Sequence, residues 1–374
     1  MDGAVSLSPA QAWVLGILRA RLRGLDAPPP PASPSVCEEA IAHTIKQRVA
    51  LLLYDYVKRR PDCVPEFCLV ELKRLYRDGS IHGIRLEGEL LALHKIFGAA
   101  GLPFMPLKGL VLSHFLYQDP VLRPCVDIDL LVPGAELARA AALLRERGYR
   151  FITHWNSRRD RFRRRVSNHW ELFHPERRIM LELHHQLLSR SCSSKLGIEG
   201  IWRNAQAVAL SGREFLFMSP EDLLLYLAVH SAKENWASLL QVYDMAALIS
   251  VHPHLDWAAV LARAEEWHSL RRLMISCALA AELFQVELPA PVQSEADRTT
   301  RLQPFVQAAL QRLLALDPLP PISRWQEAWN DLGLAERWRD RLTILFYKGL
   351  NQLAGLTALL PEGQEAASGQ ESTN

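Results

Sequence analysis

The segment that decides the fold is Arg123-Pro-Cys-Val-Asp-Ile-Asp-Leu-Leu-Val132. In its middle, apolar residues alternate with Asp127 and Asp129, which is the period of a β-strand. Side chains two residues apart on a strand point to the same face, so the two carboxylates share one side. The apolar side chains around them point the other way, into a core. The sequence therefore predicts a strand over residues 126–132 with two acids on one face.

Two carboxylates this close repel each other, which lowers stability unless a cation lies between them. Divalent metal binding is the simplest explanation. Oxygen ligands with open water positions suit Mg²⁺ or Mn²⁺, and the phosphates of a nucleotide would complete the coordination. The alternative is a strand edge with two solvated acids, and the motif alone leaves both interpretations open.

A third acid stands in another apolar strand. Glu182 lies between Leu181 and Leu183 in Ile179-Met-Leu-Glu-Leu-His-His185. It follows Asp129 by 53 residues, enough for a helix and a hairpin to bring the two strands together. We therefore expect Asp127, Asp129 and Glu182 to form a two-metal site for in-line phosphoryl or nucleotidyl transfer.

Hydrophobic periodicity places these acids in an α/β unit flanked by helices. The unit has predicted strands at 102–107, 126–132, 149–154, 170–173 and 178–185, and helices at 110–117 and 135–148. Before it we expect helices at 37–59, 65–76 and 83–100. After it we expect helices at 220–232, 236–249, 256–265, 268–285, 301–315, 323–330 and 334–354.

Composition shifts predict five regions. Five prolines within residues 27–34 indicate an extended linker, and the last residues have little to bury. The predicted regions are an N-terminal helix and Pro-rich linker (1–36), an N-terminal helical region (37–100), the α/β core (101–190), a C-terminal helical domain (191–355) and a disordered tail (356–374).

The overall composition is that of a globular protein. The 374 residues are 49% hydrophobic and carry a net charge of +2, which excludes a globally basic nucleic-acid coat. Six cysteines without metal-ligand spacing indicate reduced thiols and a cytoplasmic protein. We expect neither a secretory signal nor a membrane span, because charges interrupt each apolar stretch.

Several motifs occur in a fixed order. Leu107-Lys-Gly109, Tyr117, Arg123, Asp127-Ile-Asp129 and Leu181-Glu-Leu-His184 are followed by Pro220-Glu-Asp-Leu-Leu-Leu225, His230, Lys233, Trp236 and Asp244. In these motifs, over roughly residues 38 to 285, the chain resembles the uncharacterised nucleotidyltransferase family of the polymerase-beta-like nucleotidyltransferase superfamily. The resemblance implies an α+β fold. A polymerase-beta-like core, a small mixed sheet with flanking helices, would lie between an N-terminal helical segment and a C-terminal helical domain.

The resemblance also implies two metal-binding aspartates on one strand and a third carboxylate on its neighbour. The superfamily usually grips phosphate with Gly-Ser or Gly-Gly at a helix start, where this chain has Lys108-Gly109. Gly109 permits close backbone approach, and the following helix N-terminus attracts phosphate. Lys108 either adds positive charge on the triphosphate or blocks the usual grip. Arg123 either binds a phosphate or neutralises Asp127.

Histidines surround the predicted site. His169 and His184 either reach the site, as groups that bind the acceptor or support the metal ligands, or are hydrogen-bonded core residues. For His230 and Asp244 we favour a structural hydrogen bond between helices over a catalytic role. The run Arg158-Arg-Asp-Arg-Phe-Arg-Arg-Arg165 either grips a polyanionic acceptor or forms a solvated hairpin.

These features predict a metal-dependent nucleotidyltransferase that moves an NMP from an NTP to a hydroxyl or phosphate and releases pyrophosphate. Its cofactor would be Mg²⁺ or Mn²⁺. We expect a nucleotide-binding site of the ATP-binding kind, although no residue chooses among ATP, CTP, GTP and UTP. A small-molecule, peptide or saccharide acceptor is favoured over nucleic acid. The alternatives are a toxin-like enzyme that modifies RNA or tRNA and a non-catalytic nucleotide-binding scaffold, and the oligomeric state is not readable.

Overall fold

The structure is a computed structural model. It describes residues 7–26, 28–31, 33–152, 167–188, 192, 194, 196–298, 302–316, 320 and 322–356. The arginine run 158–165 and the predicted tail beyond residue 356 lie outside these residues. Within them, no helix is both long and apolar enough to cross a membrane.

Helices dominate the part of the chain that the structure describes. In chain order they are α1 (Pro9–Arg23), α2 (Pro34–Lys46), α3 (Ala50–Val57), α4 (Glu66–Ala99), α5 (Gly109–Tyr117), α6 (Leu137–Glu146), α7 (Ile198–Arg203), α8 (Pro220–Lys233), α9 (Leu239–Val251), α10 (Trp257–Glu266), α11 (Leu270–Phe284), α12 (Ala290–Arg298), α13 (Gln303–Leu313), α14 (Arg324–Leu334) and α15 (Trp338–Leu356). The strands are β1 (Met105–Pro106), β2 (Asp127–Leu131), β3 (Arg150–Phe151), β4 (His169–His174), β5 (Ile179–His184), β6 (Gln206–Leu210) and β7 (Arg213–Phe217).

Five strands form a small mixed sheet in the order β1-β2-β5-β4-β3. The central strand β5 runs parallel to β2 and antiparallel to β4. The parallel register places Asp129 beside Glu182. This sheet, with helices flanking it, confirms the predicted α+β fold. The outer strands β1 and β3 are shorter than the predicted runs 102–107 and 149–154.

The longest helix corrects two predictions about the N-terminal region. Residues 65–76 and 83–100 belong to one continuous helix, α4, of 34 residues. A Cβ on Gly79 would lie 2.9 Å from Leu51, and a Cβ on Gly83 would lie 2.7 Å from Val121. These glycines therefore let neighbouring segments pack closely and do not end the helix. The predicted helix 37–59, in contrast, is divided into α2 and α3 where Arg48 adopts a φ of 61°.

The region 191–355, predicted to be helical, contains a β-hairpin. Strands β6 and β7 pair antiparallel across Ser211 and Gly212, whose φ angles are 48° and 73°. Positive φ at both central residues is the geometry of a type I′ turn, which matches the twist of a hairpin. The alternation in β7, where Phe215 and Phe217 are buried, was a readable signal for this hairpin. Helices α7 and α12 were also not predicted.

One hydrophobic core joins the helices and the sheet. The buried cluster includes residues of α1, the N-terminal helices, the five-stranded sheet and the helices from α8 to α13. The backbone N–H of Leu239, at the start of α9, donates to the side chain of Gln47 at 2.8 Å. The N-terminal helices are thus packed directly on the C-terminal half. The division into separate domains stays a prediction.

Candidate active site

Three carboxylates meet on one face of the sheet. Asp127 and Asp129 alternate on β2, and the register of β5 brings Glu182 alongside. One oxygen atom of each carboxylate lies within 4.8 Å of the others. Hard oxygen donors at this spacing fit a divalent cation such as Mg²⁺ or Mn²⁺. The structure thus brings the three predicted ligands together, while their catalytic roles stay a prediction.

The electrostatics of the site are uneven. Burial and repulsion from Asp129 raise the pKa of Asp127 to about 6. Burial also disfavours the charged form of Asp129, but the hydrogen bond with His184 and the charge of Lys108 hold its pKa far below the usual range. For Glu182 burial is likewise outweighed by hydrogen bonding to His184, which lowers its pKa. Lys108 only partly offsets these effects on Asp127, as expected of a carboxylate that a further cation would stabilise.

Lys108 and Gly109 lie at the start of α5, next to these carboxylates. The Lys108 Nζ is 3.2 Å from the Asp129 Oδ2. Although burial opposes its charge, Asp129, Asp127 and Glu182 raise the pKa of Lys108. Gly109 has a φ of 65°, a conformation that favours glycine, and it begins the helix whose first N–H groups are free to bind an anion. Contact of either residue with a triphosphate stays a prediction.

Arg123 has a different partner from those considered above. Its Nε donates to the Asp244 Oδ2 at 2.8 Å, and the Tyr117 hydroxyl donates to the Asp244 Oδ1 at 2.6 Å. All three side chains are buried. Burial disfavours the charge of Arg123, but Asp244 raises its pKa. The structure thus pairs Arg123 with Asp244 rather than Asp127, and phosphate binding by Arg123 stays a prediction.

Both predicted histidines of the sheet reach the site. The His184 Nε2 is 3.0 Å from the Glu182 Oε2 and 3.3 Å from the Asp129 Oδ1. The His169 Nε2 is 3.9 Å from the Glu182 Oε2. Asn168 lies between the two rings, 3.2 Å from the Nδ1 of His169 and 3.3 Å from the Nδ1 of His184. Asn168 was not predicted, because an amide that orients two rings follows no spacing rule.

Two side chains of helix α8, Tyr226 and His230, are close enough to the site to be affected by its charges. Burial raises the pKa of Tyr226, and the negative charge of Asp129 adds to that effect. One turn later, burial lowers the pKa of His230, and the charge of Lys108 adds to it. The predicted hydrogen bond between His230 and Asp244 is wrong, because the Nε2 of His230 lies 3.5 Å from Glu234 instead. Tyr226 was missed, since its apolar neighbours make it resemble an ordinary core residue.

Comparison with known families agrees with this geometry. A family model described as "Uncharacterised nucleotidyltransferase" matches residues 34–285, which is about two thirds of the chain. The chain belongs to this family. The match runs from α2 to the end of α11, so it includes the carboxylate strands and helix α8. It makes the protein a transferase of nucleotidyl groups.

No curated protein matches the chain. The family match establishes nucleotidyl transfer as the general reaction. The substrates proposed below are argued from the residues of this chain.

Proposed function

We propose that this transferase moves an NMP from an NTP to a hydroxyl or phosphate of an acceptor and releases pyrophosphate. The observation that carries the proposal is the parallel register of β2 and β5. It sets Glu182 beside Asp129, so that one oxygen atom of each of the three carboxylates lies within 4.8 Å of the others. We propose Mg²⁺ or Mn²⁺ as the cofactor, held by Asp127, Asp129 and Glu182. Such an ion, when bound, would neutralise charge on the phosphates of the nucleotide.

The residues around the carboxylates have separate tasks in this proposal. Lys108 and the N-terminal N–H groups of α5 beginning at Gly109 hold the phosphates of the donor. His184 donates to Asp129 and Glu182 and so fixes the direction in which their oxygens point. Arg123 acts indirectly, because its ion pair with Asp244 anchors the loop that leads into β2.

The acceptor is proposed to be a small molecule, a peptide or a saccharide. The alternative of RNA depends on the arginine run 158–165, which lies outside the described residues. The alternative of a non-catalytic scaffold fits poorly with three acids kept together in a partly buried site, because mutual repulsion would disfavour them without a cation. A cytoplasmic location is proposed on the six free cysteines, which suit a reducing compartment.

The decisive experiment supplies each labelled NTP with Mg²⁺ or Mn²⁺ and cell extract, and measures labelled product and pyrophosphate. Asp129→Asn should lower the rate by about a thousandfold, since stabilisation of transferred charge contributes several kcal/mol. Glu176→Gln is the matched control, because Glu176 is an exposed acid in the turn between β4 and β5. Full activity in a folded Asp129→Asn protein would refute the proposal.

A further inference from the structure

Helix α15 exposes large apolar side chains along one side. Trp338, Leu342, Leu345 and Phe346 recur three or four residues apart, so they share one side of the helix. Each is between 54% and 66% exposed. Another side of the helix packs on the protein through Ile344, which is buried. A surface helix ordinarily turns polar residues to the solvent, so the exposed apolar side is not explained by the packing of α15.

Helix α14 adds two exposed indole rings. Trp325 and Trp329 lie one turn apart and are 76% and 78% exposed. An ion pair between Asp331 of α14 and Lys348 of α15, at 2.7 Å, joins the two helices. The four exposed aromatic side chains present on the order of 500 Å² to the solvent, an area more typical of an interaction site than of ordinary surface. We call six exposed residues the α14–α15 surface: Trp325, Trp329, Trp338, Leu342, Leu345 and Phe346.

The acids beside this surface are directed at the protein or neutralised. Glu336 accepts a hydrogen bond from the backbone N–H of Arg271 at 2.9 Å. Asp340 is buried and lies 3.2 Å from the Nδ1 of His268. The ion pair between the two helices takes up the charge of Asp331. These three carboxylates therefore contribute little negative charge to the outer side of α15.

Three arginines at the start of α15 point to the solvent. Arg337, Arg339 and Arg341 are exposed, and no carboxylate among the described residues lies within 4.0 Å of their guanidinium groups. With about 100° per residue, Arg339 and Arg341 fall on opposite edges of the apolar side. The Arg339 guanidinium lies 5.4 Å from the centre of the Trp338 ring. The outer side of α15 is therefore apolar in the middle and positive along its edges.

An anionic lipid bilayer complements both properties. A helix with an apolar side and basic residues beside it lies in the plane of a membrane surface. Its arginines reach the phosphates of the headgroups, while its tryptophans occupy the boundary between headgroups and acyl chains. A second copy of the chain fits less well. In a two-fold contact the arginines of one copy would face those of the other.

We propose that the α14–α15 surface binds anionic membranes. The side chains of Trp338, Leu342 and Phe346 enter the outer part of the bilayer, and the three arginines contact lipid phosphates. Both helices follow residue 285, where the match to the family ends. The inference therefore goes beyond the proposed function and does not depend on nucleotidyl transfer.

Binding to vesicles tests the proposal. The full-length protein is mixed with vesicles of phosphatidylcholine and phosphatidylserine or of phosphatidylcholine alone, and the bound fraction is measured by flotation. We expect binding to the mixed vesicles, and binding at least about tenfold weaker to vesicles without phosphatidylserine. Added salt should weaken binding to the mixed vesicles, because it screens the arginines.

An apolar double variant tests the inserted side chains. Leu342→Ser with Phe346→Ser should lower the affinity for mixed vesicles by about 100-fold, since both side chains lose their burial in lipid. Both are exposed in the free protein, so the variant should fold normally. Val70→Ser with Ile84→Ser is the matched control, because both residues are 62% exposed on α4. It should bind as the wild type does.

A charge variant tests the arginines. Replacing Arg337, Arg339 and Arg341 by Gln should lower the affinity for mixed vesicles by about 100-fold. The control variant changes the net charge equally at exposed positions on other parts of the chain, by replacing Arg145, Arg203 and Arg213 by Gln. The control should retain most of the affinity.

Failure to bind the mixed vesicles, or equal binding with and without phosphatidylserine, would overturn the inference. So would equal losses in a variant and its matched control. Sedimentation of the protein without vesicles tests the alternative occupant. Self-association that Leu342→Ser with Phe346→Ser abolishes, in a protein that does not bind vesicles, would assign the surface to a second copy and overturn membrane binding. Nucleotidyl transfer without vesicles should be the same in all these variants, so the proposed function is judged separately.

Discussion

Asp127 and Asp129 are neighbours on one strand face, yet their charges have opposite effects on stability. Repulsion alone would predict that removing either charge stabilises the fold. Lys108 and His184 both contact Asp129, however, and lower its pKa, whereas the pKa of Asp127 is raised to about 6. A pKa raised on folding means that the folded state disfavours the charged form at neutral pH.

We therefore expect Asp127→Asn to raise the free energy of unfolding by about 1–2 kcal/mol without divalent metal. Asp129→Asn should lower it, because Lys108 and His184 lose their partner. Urea denaturation at neutral pH in the presence of a chelator measures both variants. Equal shifts of the two denaturation midpoints would show that Lys108 and His184 do not stabilise one carboxylate more than the other.

His43 makes stability depend on pH away from the site. It is buried in α2, and both ring nitrogens lack a hydrogen-bond partner among the described residues. Burial lowers its pKa from 6.5 to about 4. A depressed histidine pKa means that stability is complete above pH 6.5 and falls as the pH drops toward 4, since the unfolded chain binds the proton first.

Replacement of this histidine should remove that dependence. We expect His43→Leu to abolish a loss of about 2 kcal/mol between pH 6.5 and 4. The exposed His254→Leu is the control and should keep the wild-type slope. Unfolding free energies measured across this pH range provide the comparison, and an unchanged slope in His43→Leu would assign the effect to other groups.

At the scale of single residues, the sequence predicts which residues form the site better than it predicts which residues contact one another. The alternation around Asp127 and the isolated position of Glu182 were sufficient to bring the three acids together. The partner of Arg123 was not predictable, because Asp244 lies 121 residues further along the chain. The position of Asn168 between the rings of His169 and His184 depends on the pairing of β4 with β5.

Among the elements, helix α4 offers a matched pair of glycines. Gly83 lies where Val121 approaches, so an added methyl group would come within 2.7 Å of the valine side chain. Gly88 has open space around its Cα. Gly83→Ala should therefore destabilise the protein by about 1–3 kcal/mol through overpacking. Gly88→Ala should stabilise it by about 0.5–1 kcal/mol through helix propensity.

Thermal denaturation of the two variants measures this contrast. Stabilisation by Gly83→Ala would mean that the segment around Val121 yields easily and that the glycine has no packing role.

The helices and strands were predictable where the hydrophobic periodicity is strong. They were misplaced where a glycine can either admit a close neighbour or form a turn. Inside α4, Gly79 and Gly83 admit close neighbours, while Gly212 lies in the turn between β6 and β7. A pattern of residues does not distinguish these uses, because the difference lies in what packs against the backbone. The spacing predicted that the strands of Asp129 and Glu182 lie side by side but not their parallel register, since local sequence does not specify how a distant partner pairs.

Across the whole molecule, the buried pair of Arg123 and Asp244 joins the core sheet to the C-terminal helices. We expect Asp244→Ala to lower stability by about 3–5 kcal/mol, because it leaves a buried guanidinium without its counter-charge. Tyr117→Phe, which removes one hydrogen bond to the same carboxylate, should cost about 1 kcal/mol. Chemical denaturation measures both.

The double change Arg123→Met with Asp244→Leu tests the cause. It should recover much of the loss, since apolar side chains often replace a buried ion pair without harm. A double variant as unstable as Asp244→Ala would show that lost packing, not the unpaired charge, is responsible.

The order of the strands has a consequence for synthesis of the protein. The central strand β5 is the last of the five in the chain, so a ribosome delivers β2 and β4 before the strand that joins them. Until residues 179–184 emerge, both nascent strands keep an unpaired edge, a state that invites aggregation. The acids of β2 likewise have no Glu182 beside them until β5 pairs with β2, so the three-carboxylate site forms only at that step.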